Sequence, residues 1–111
     1  MEIRPATPAD LQALLPLVKR FWEFERLPWE HVDVPSVLGT LLADPNVGRM
    51  LMGVHQGQLS GYLTLTFGYS IEHCGRDALV DELYVEHAAR GLGTGTLLLD
   101  SAAAVCRSLG I

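Results

Sequence analysis

The chain has few of the residues that bind nucleic acids and metals. Its 111 residues include eight Lys or Arg against thirteen Asp or Glu, which gives a formal net charge of -5. Because phosphate neutralisation needs clustered cations, this balance argues against a nucleic-acid partner. Cys74 and Cys106 form no CxxC pair, and the four histidines have no HxxxH spacing. The pattern therefore predicts no metal site, and the cysteines are expected to be reduced thiols.

Long apolar runs are also absent. No run approaches the roughly 20 residues that a membrane helix needs. The N-terminal stretch "MEIRPATPAD" lacks the apolar core of a signal peptide. These features predict no membrane partner and a cytoplasmic location. A hydrophobic content of 49% with 19% charged residues is instead typical of a packed domain, here one domain over residues 1–111.

The hydrophobic pattern predicts seven elements. "EIRPAT" is strand-like, and "TPADLQALLPLVKRFWEFE" and "VPSVLGTLLADP" are helical, the first with Thr7 as N-cap. Two strands, "GRMLMGVH" and "LSGYLTLTFGYS", follow around the turn signal "QGQ", and Ala78–Val85 is a third strand-like run. The helical "TGTLLLDSAAAVCRSL" is last. The order β-α-α-β-β-β-α predicts an α/β fold, an α+β mixed sheet with helices packed on it.

A glycine-rich stretch, "HAARGLGTGTLLLD", fits a phosphate-binding loop. The Walker pattern fails because no lysine follows Lys19. The dinucleotide pattern GxGxxG fails because Thr96 stands where a third glycine is needed after Gly91. Arg-x-x-Gly-x-Gly remains, formed by Arg90, Gly93 and Gly95. Its glycines allow backbone N–H groups to approach an anion, and the helix N-terminus adds unpaired donors.

The segment "DELYVEHAARGLGTGTLLLDSA" resembles the acetyl-CoA motif of the GCN5-related N-acetyltransferase (GNAT) family. The resemblance covers almost the whole chain and implies an acyl-CoA N-acyltransferase-like fold with acetyl-CoA as co-substrate and no metal. His87 and Ala89 depart from the proline and aromatic residue that many members have there. The family continues with further strands, so the chain is expected to be truncated before the next strand. An unfinished sheet favours pairing with a second copy, which predicts a homodimer.

The resemblance also implies which residues bind the substrates. Backbone groups of the third strand would hold the pantetheine arm, and the glycine loop would hold the pyrophosphate. The predicted acetyl-CoA residues are Leu83, Tyr84, Val85, Arg90, Gly91, Leu92, Gly93, Thr94, Gly95 and Thr96. Trp22 and Trp29 lie near the two helices that shape the acceptor site in relatives, and are predicted to contact the acceptor.

Two adjacent acids, Asp81 and Glu82, are the candidate catalytic residues. An ammonium ion cannot attack a thioester, so a base must first take a proton from the amine. Adjacent residues of a strand face opposite sides, and at most one of the two acids is therefore expected to enter a given cleft. The sequence does not choose between them. Tyr84 is a candidate for protonating the departing thiolate.

These observations predict an N-acetyltransferase that moves an acetyl group from acetyl-CoA to a primary amine. Negative charge and paired acids favour a small cationic acceptor such as a polyamine, an aminoglycoside or an amino acid. The alternative is a non-catalytic or truncated GNAT-like module that binds coenzyme A or serves a structural role.

Overall fold

The centre of the structure is a four-stranded antiparallel sheet. In the computed structural model, which describes residues 1–111, the strands are β1 (Glu2–Pro5), β2 (Gly48–His55), β3 (Gln58–Ser70) and β4 (Gly75–Val85). They lie in the order β1-β2-β3-β4, and every neighbouring pair is antiparallel. The predicted element order is confirmed. The predicted fold class is confirmed as well, and the sheet is antiparallel throughout these four strands.

Three helices pack on this sheet. They are α1 (Leu11–Phe24), α2 (Val34–Ala43) and α3 (Thr94–Ser108). A short 3-10 turn precedes α1, where the N–H of Thr7 donates to the Asp10 carboxylate at 2.7 Å, as the capping pattern predicts. Asp33 begins α2 by accepting the N–H of Ser36 at 3.3 Å. No helix is both long and apolar enough to span a membrane.

The helices cover both faces of the sheet because the strands alternate. Met50, Met52 and Tyr62 face α1 and α2, while Leu51 and Leu63 face α3. The first cluster also contains Leu14, Leu17, Val18, Val34 and Leu38, and the second also contains Leu65, Leu98 and Ala102. Since β2 is buried on both sides, its sequence is apolar at nearly every position instead of alternating.

Strand β4 is longer than its sequence pattern predicts. The prediction began at Ala78, but Gly75, Arg76 and Asp77 already pair with the end of β3. The connecting turn is therefore only residues 71–74, and it closes with Cys74 at a positive φ of 60°. Pairing with β3 extends the strand into a segment whose glycine and charged residues carry no hydrophobic alternation.

A pair of opposed glycines sets the position of α3 on the sheet. Gly53 of β2 faces Gly61 of β3. A Cβ on Gly53 would lie 2.9 Å from Cγ2 of Thr94, the first residue of α3. One on Gly61 would lie 2.7 Å from the Tyr84 carbonyl oxygen and 3.4 Å from the same Cγ2. Thr94 is buried. The absence of side chains at the two glycines thus lets the start of α3 pack directly on the sheet.

Replacing Gly53 with Ala is expected to destabilise the fold by about 1–3 kcal/mol, the usual cost of overpacking a core. The added methyl group must displace Thr94. Gly39→Ala is the matched control, since its Cβ would meet nothing within 4 Å and alanine favours the helical α2 by about 0.5–1 kcal/mol. Urea denaturation measures the free energy of unfolding of both variants. Equal free energies of unfolding for the two variants would contradict the role of this contact.

Candidate active site

A β-bulge in β4 brings the two candidate acids to the same side of the sheet. Thr64 of β3 pairs with Glu82, but the next residue, Leu65, pairs with Val80, so Asp81 is the extra residue of the bulge. The N–H of Glu82 donates to the hydroxyl of Thr64 at 2.9 Å. Both acids line one cleft. The expectation that at most one could enter a given cleft is therefore wrong, because the bulge interrupts the alternation.

The cleft lies between the two N-terminal helices and the strands β3 and β4. Its volume is about 350 Å³, within the range of small-molecule sites. The lining residues are Val18, Trp22, Val37, Leu38, Thr40, Leu41, Val47, Thr64, Thr66, Asp81 and Glu82. Five of these eleven side chains are aliphatic and three are threonines, and the two charges both come from β4.

Glu82 is held at both carboxylate oxygens. The Trp22 indole N–H donates to Oε2 at 3.0 Å, and the Tyr62 hydroxyl donates to Oε1 at 2.9 Å. Burial raises the pKa of the Glu82 carboxyl, and the charge of Asp81 adds to this, while the two hydrogen bonds act in the opposite direction. The result is an oriented carboxyl group whose pKa has moved towards neutrality, a property that suits a general base.

The two predicted tryptophans occupy different positions. Trp22 of α1 lines the cleft and contacts Glu82. Trp29 packs edge-to-face on Trp22 with 5.9 Å between ring centroids. The Lys19 ammonium lies 5.9 Å from the ring centroid of Trp29. Trp29 is not part of the cleft lining and instead supports Trp22 from behind.

Tyr84 lies beside the cleft in a separate polar cluster. Its hydroxyl donates to Glu86 at 3.1 Å, and Glu86 also forms an ion pair with Arg20 of α1. Burial and the neighbouring Glu86 carboxylate raise the pKa of Tyr84. The hydroxyl therefore stays protonated at neutral pH, but its proton is directed at Glu86.

The glycine loop forms a second concave site where β4 ends and α3 begins. It is lined by Val85, Ala89, Arg90, Gly91, Gly93, Thr94, Gly95 and Thr96. Gly93 adopts a left-handed conformation with φ of 81°, and no side chain caps α3. The backbone N–H groups of Thr94, Gly95 and Thr96 have no protein acceptor. Free donors and the helix dipole suit an anion.

The remaining predicted acetyl-CoA residues are distributed around this site. Arg90 borders it, with its Nε donating to the Val85 carbonyl at 3.1 Å. Leu92 lies apart from it, exposed, and lines a different depression together with His87. Leu83 packs in the cluster below α3, whereas Tyr84 packs on the α1 side. The outer edge of β4 has no partner strand.

A family model for "Acetyltransferase (GNAT) family" matches residues 13–111. The chain belongs to the GNAT acetyltransferase family. Acyl transfer is accordingly the class of reaction that its family membership supports. The resemblance drawn from the glycine loop and the order of elements is confirmed. The comparison with curated proteins found no significant match.

Solved structures resemble this GNAT chain over nearly its whole length. An integron cassette protein from the mobile metagenome of Cole Harbour Salt Marsh is 30% identical, with a TM-score of 0.90 over 98% of this chain and 72% of its own. A predicted acetyltransferase with acetyl-CoA from Clostridium acetobutylicum is 22% identical, with a TM-score of 0.80 over 99% and 75%. An aminoglycoside acetyltransferase from an uncultured soil metagenomic sample, in complex with sisomicin, is 17% identical, with a TM-score of 0.80 over 99% and 72%.

Several residues of this GNAT site have no signal in the sequence. Tyr62 and Thr64 of β3 contact Glu82, and Arg20 pairs with Glu86 across 66 positions of sequence. Each of these contacts joins separate elements. Alternation along β3 indicates that Tyr62 and Thr64 share one face, but only the register of β3 against β4 places them at Glu82.

Proposed function

We propose that the protein transfers an acetyl group from acetyl-CoA to a primary amine, with Glu82 as general base and Asp81 as the ammonium-binding residue. The bulge at Asp81 carries this proposal, because it puts two carboxylates with different surroundings into one cleft. Glu82 is half-buried and held by Trp22 and Tyr62. Asp81 is exposed and free to attract a cation.

The glycine loop supports acetyl-CoA as the donor. A pyrophosphate would accept the free N–H groups at the start of α3 and would lie next to the guanidinium of Arg90. The outer edge of β4 offers the backbone groups of Leu83 and the N–H of Val85 for the pantetheine amides, while the Val85 carbonyl accepts from Arg90. A neighbouring structure of the same fold is described with acetyl-CoA, which agrees with this assignment.

The chemistry follows from these positions. Asp81 attracts the ammonium form of the acceptor, and Glu82 removes one proton from it. The neutral nitrogen then attacks the thioester carbonyl carbon, so that a C–N bond forms and the C–S bond breaks. The sulfur leaves with the electron pair. The nitrogen, cationic after attack, loses its second proton to water, and the thiolate takes up one proton from water, so that an amide and the free thiol result while Glu82 returns its proton to solvent. The developing oxyanion needs N–H donors, which the open edge of β4 can supply.

The test of this function uses two measurements. Calorimetry with acetyl-CoA should give a binding isotherm, and a thiol assay should detect coenzyme A release that depends on added primary amine. Binding without amine-dependent release would favour the alternative of a non-catalytic module. The absence of any heat of binding at high acetyl-CoA concentration would overturn the proposal.

One domain over residues 1–111, a cytoplasmic location and a homodimer remain predictions. The part of the open β4 edge that precedes the bulge, with the exposed side chains of Leu79 and Val80, favours the dimer and leaves Leu83 and Val85 for the pantetheine arm. Light scattering coupled to size-exclusion chromatography should give twice the mass of the 12.1 kDa chain. A folded species with the mass of one chain would contradict it.

A further inference from the structure

We infer that the acceptor is a monoamine with an apolar body, such as an alkylamine or arylalkylamine, and that it carries no carboxylate. The inference rests on the proposed function and specifies the acceptor of the same site. It narrows the sequence-based expectation, which also included polyamines, aminoglycosides and amino acids. The distribution of charge and apolar surface in the cleft carries it.

The cleft offers a binding position for one cationic group. Its two carboxylates, Asp81 and Glu82, are consecutive residues on the β4 wall. The opposite wall is formed by the aliphatic side chains of Val37, Leu41 and Val47. A second ammonium group, several bonds from the first, would lie against this wall and lose hydration without gaining a carboxylate partner, since Thr40 is the only polar side chain that α2 places in the cleft. Polyamines and aminoglycosides are therefore poor fits.

The cleft also lacks a partner for an anion. No Lys, Arg or His is among its lining residues. The cations on the elements that form the cleft are engaged elsewhere. Lys19 lies over Trp29, Arg20 pairs with Glu86, and the guanidinium of Arg76 stacks at 4.7 Å on Phe67. The carboxylate of an amino acid would face two like charges without compensation. An acceptor with a free carboxylate is accordingly excluded from this site.

The aliphatic wall needs a matching surface. Val37 is 62% exposed and Val47 is 40% exposed, although both line the cleft. Apolar surface of this kind is stabilised when a ligand covers it. An alkyl or aryl group attached to the amine would cover Val37, Leu41 and Val47, while its nitrogen remains beside Asp81 and Glu82.

A homologous series of amines tests the inference. We expect kcat/KM to rise by up to about fourfold for each methylene from ethylamine to hexylamine, the fold-change that corresponds to about 0.8 kcal/mol per buried CH₂. Hexylamine should exceed spermidine, an aminoglycoside and 6-aminohexanoate by at least about tenfold. The last compound is the matched control, because it differs from hexylamine only in having a carboxylate in place of the terminal methyl group. A flat series, or faster transfer to spermidine, would overturn the inference.

A binding measurement separates this inference from the proposed function. Trp22 lines the cleft, so tryptophan fluorescence should report amine binding in the presence of coenzyme A, without any transfer. Tighter binding along the alkyl series supports the acceptor class even if turnover fails, and failed turnover then counts against the function alone. Val37→Asp should reverse the order by favouring spermidine over hexylamine. Unchanged preference in this variant would contradict the role of the aliphatic wall.

Discussion

Replacing Glu82 with Gln should lower kcat/KM for acetyl transfer by about 10²–10⁴-fold, the usual contribution of a general base. The amide can still accept from Trp22 and meet the Tyr62 hydroxyl, but it cannot take a proton. Because burial raises the pKa of Glu82, the wild-type rate should increase with pH through a value above 4.5. The variant should lose this limb of the pH profile. Stopped-flow or steady-state thiol release across pH measures both effects.

The free energy of unfolding of Glu82→Gln should rise, although its activity falls. A carboxyl whose pKa is raised by folding favours the folded state below its unfolded pKa, and this contribution is lost as pH rises through the folded pKa. Glu82→Gln removes the ionised form, so it should gain stability relative to wild type from acid to neutral pH. Asp81→Asn is the matched control, expected to raise KM and keep the pH limb. Full turnover of Glu82→Gln at all pH values would remove Glu82 as the base.

Replacing Thr96 with Asp should weaken acetyl-CoA binding by roughly 10–100-fold while stabilising α3. A carboxylate about 6 Å from one phosphate charge costs about 2.8 kcal/mol at an effective dielectric constant of about 20, and solvent reduces this at the exposed Thr96. The same carboxylate in the first turn of α3 should add about 0.3–1 kcal/mol to stability through the helix dipole. The acetyl-CoA affinity measured by calorimetry should therefore fall, while the midpoint temperature of thermal unfolding should rise.

Thr96→Asn is the control for this prediction. It has nearly the same shape as Asp but no charge, so it should keep acetyl-CoA affinity within about threefold of wild type. Raising the salt concentration should narrow the gap between the two variants, since exposed charges are screened. Equal acetyl-CoA affinities of the Thr96→Asp and Thr96→Asn variants at low salt would mean that no phosphate lies at the start of α3.

The local features of this protein could be read from its sequence. Thr7 and Asp10 form a capping box at the 3-10 turn that leads into α1, and β2 has the bounds given by its apolar run. Gly93 ends the loop before α3 and Gly95 lies in the first turn of the helix, as expected where only local chain geometry is involved. β4 was predicted three residues too short, because its first residues are ordered by pairing with β3 and not by their own pattern.

The sequence predicted the candidate site only in part. Strand alternation led to the expectation that Asp81 and Glu82 would point apart, and the bulge at Asp81 overturns it. A bulge depends on the register between two strands, which one strand's sequence does not specify. For the same reason, the sequence could not place Tyr62 and Trp22 on Glu82 or separate Trp29 from the cleft.

The sequence by itself determined the family, the order of elements and the phosphate-type loop, since these depend on periodicity and on residues adjacent in the chain. Only the tertiary structure decided that both acids share a cleft, that Glu82 is held with a raised pKa, and that the opposite wall is aliphatic. Those properties arise from burial and from contacts between α1, α2, β3 and β4. Distances between separate elements are fixed by packing, and packing is a property of the whole fold.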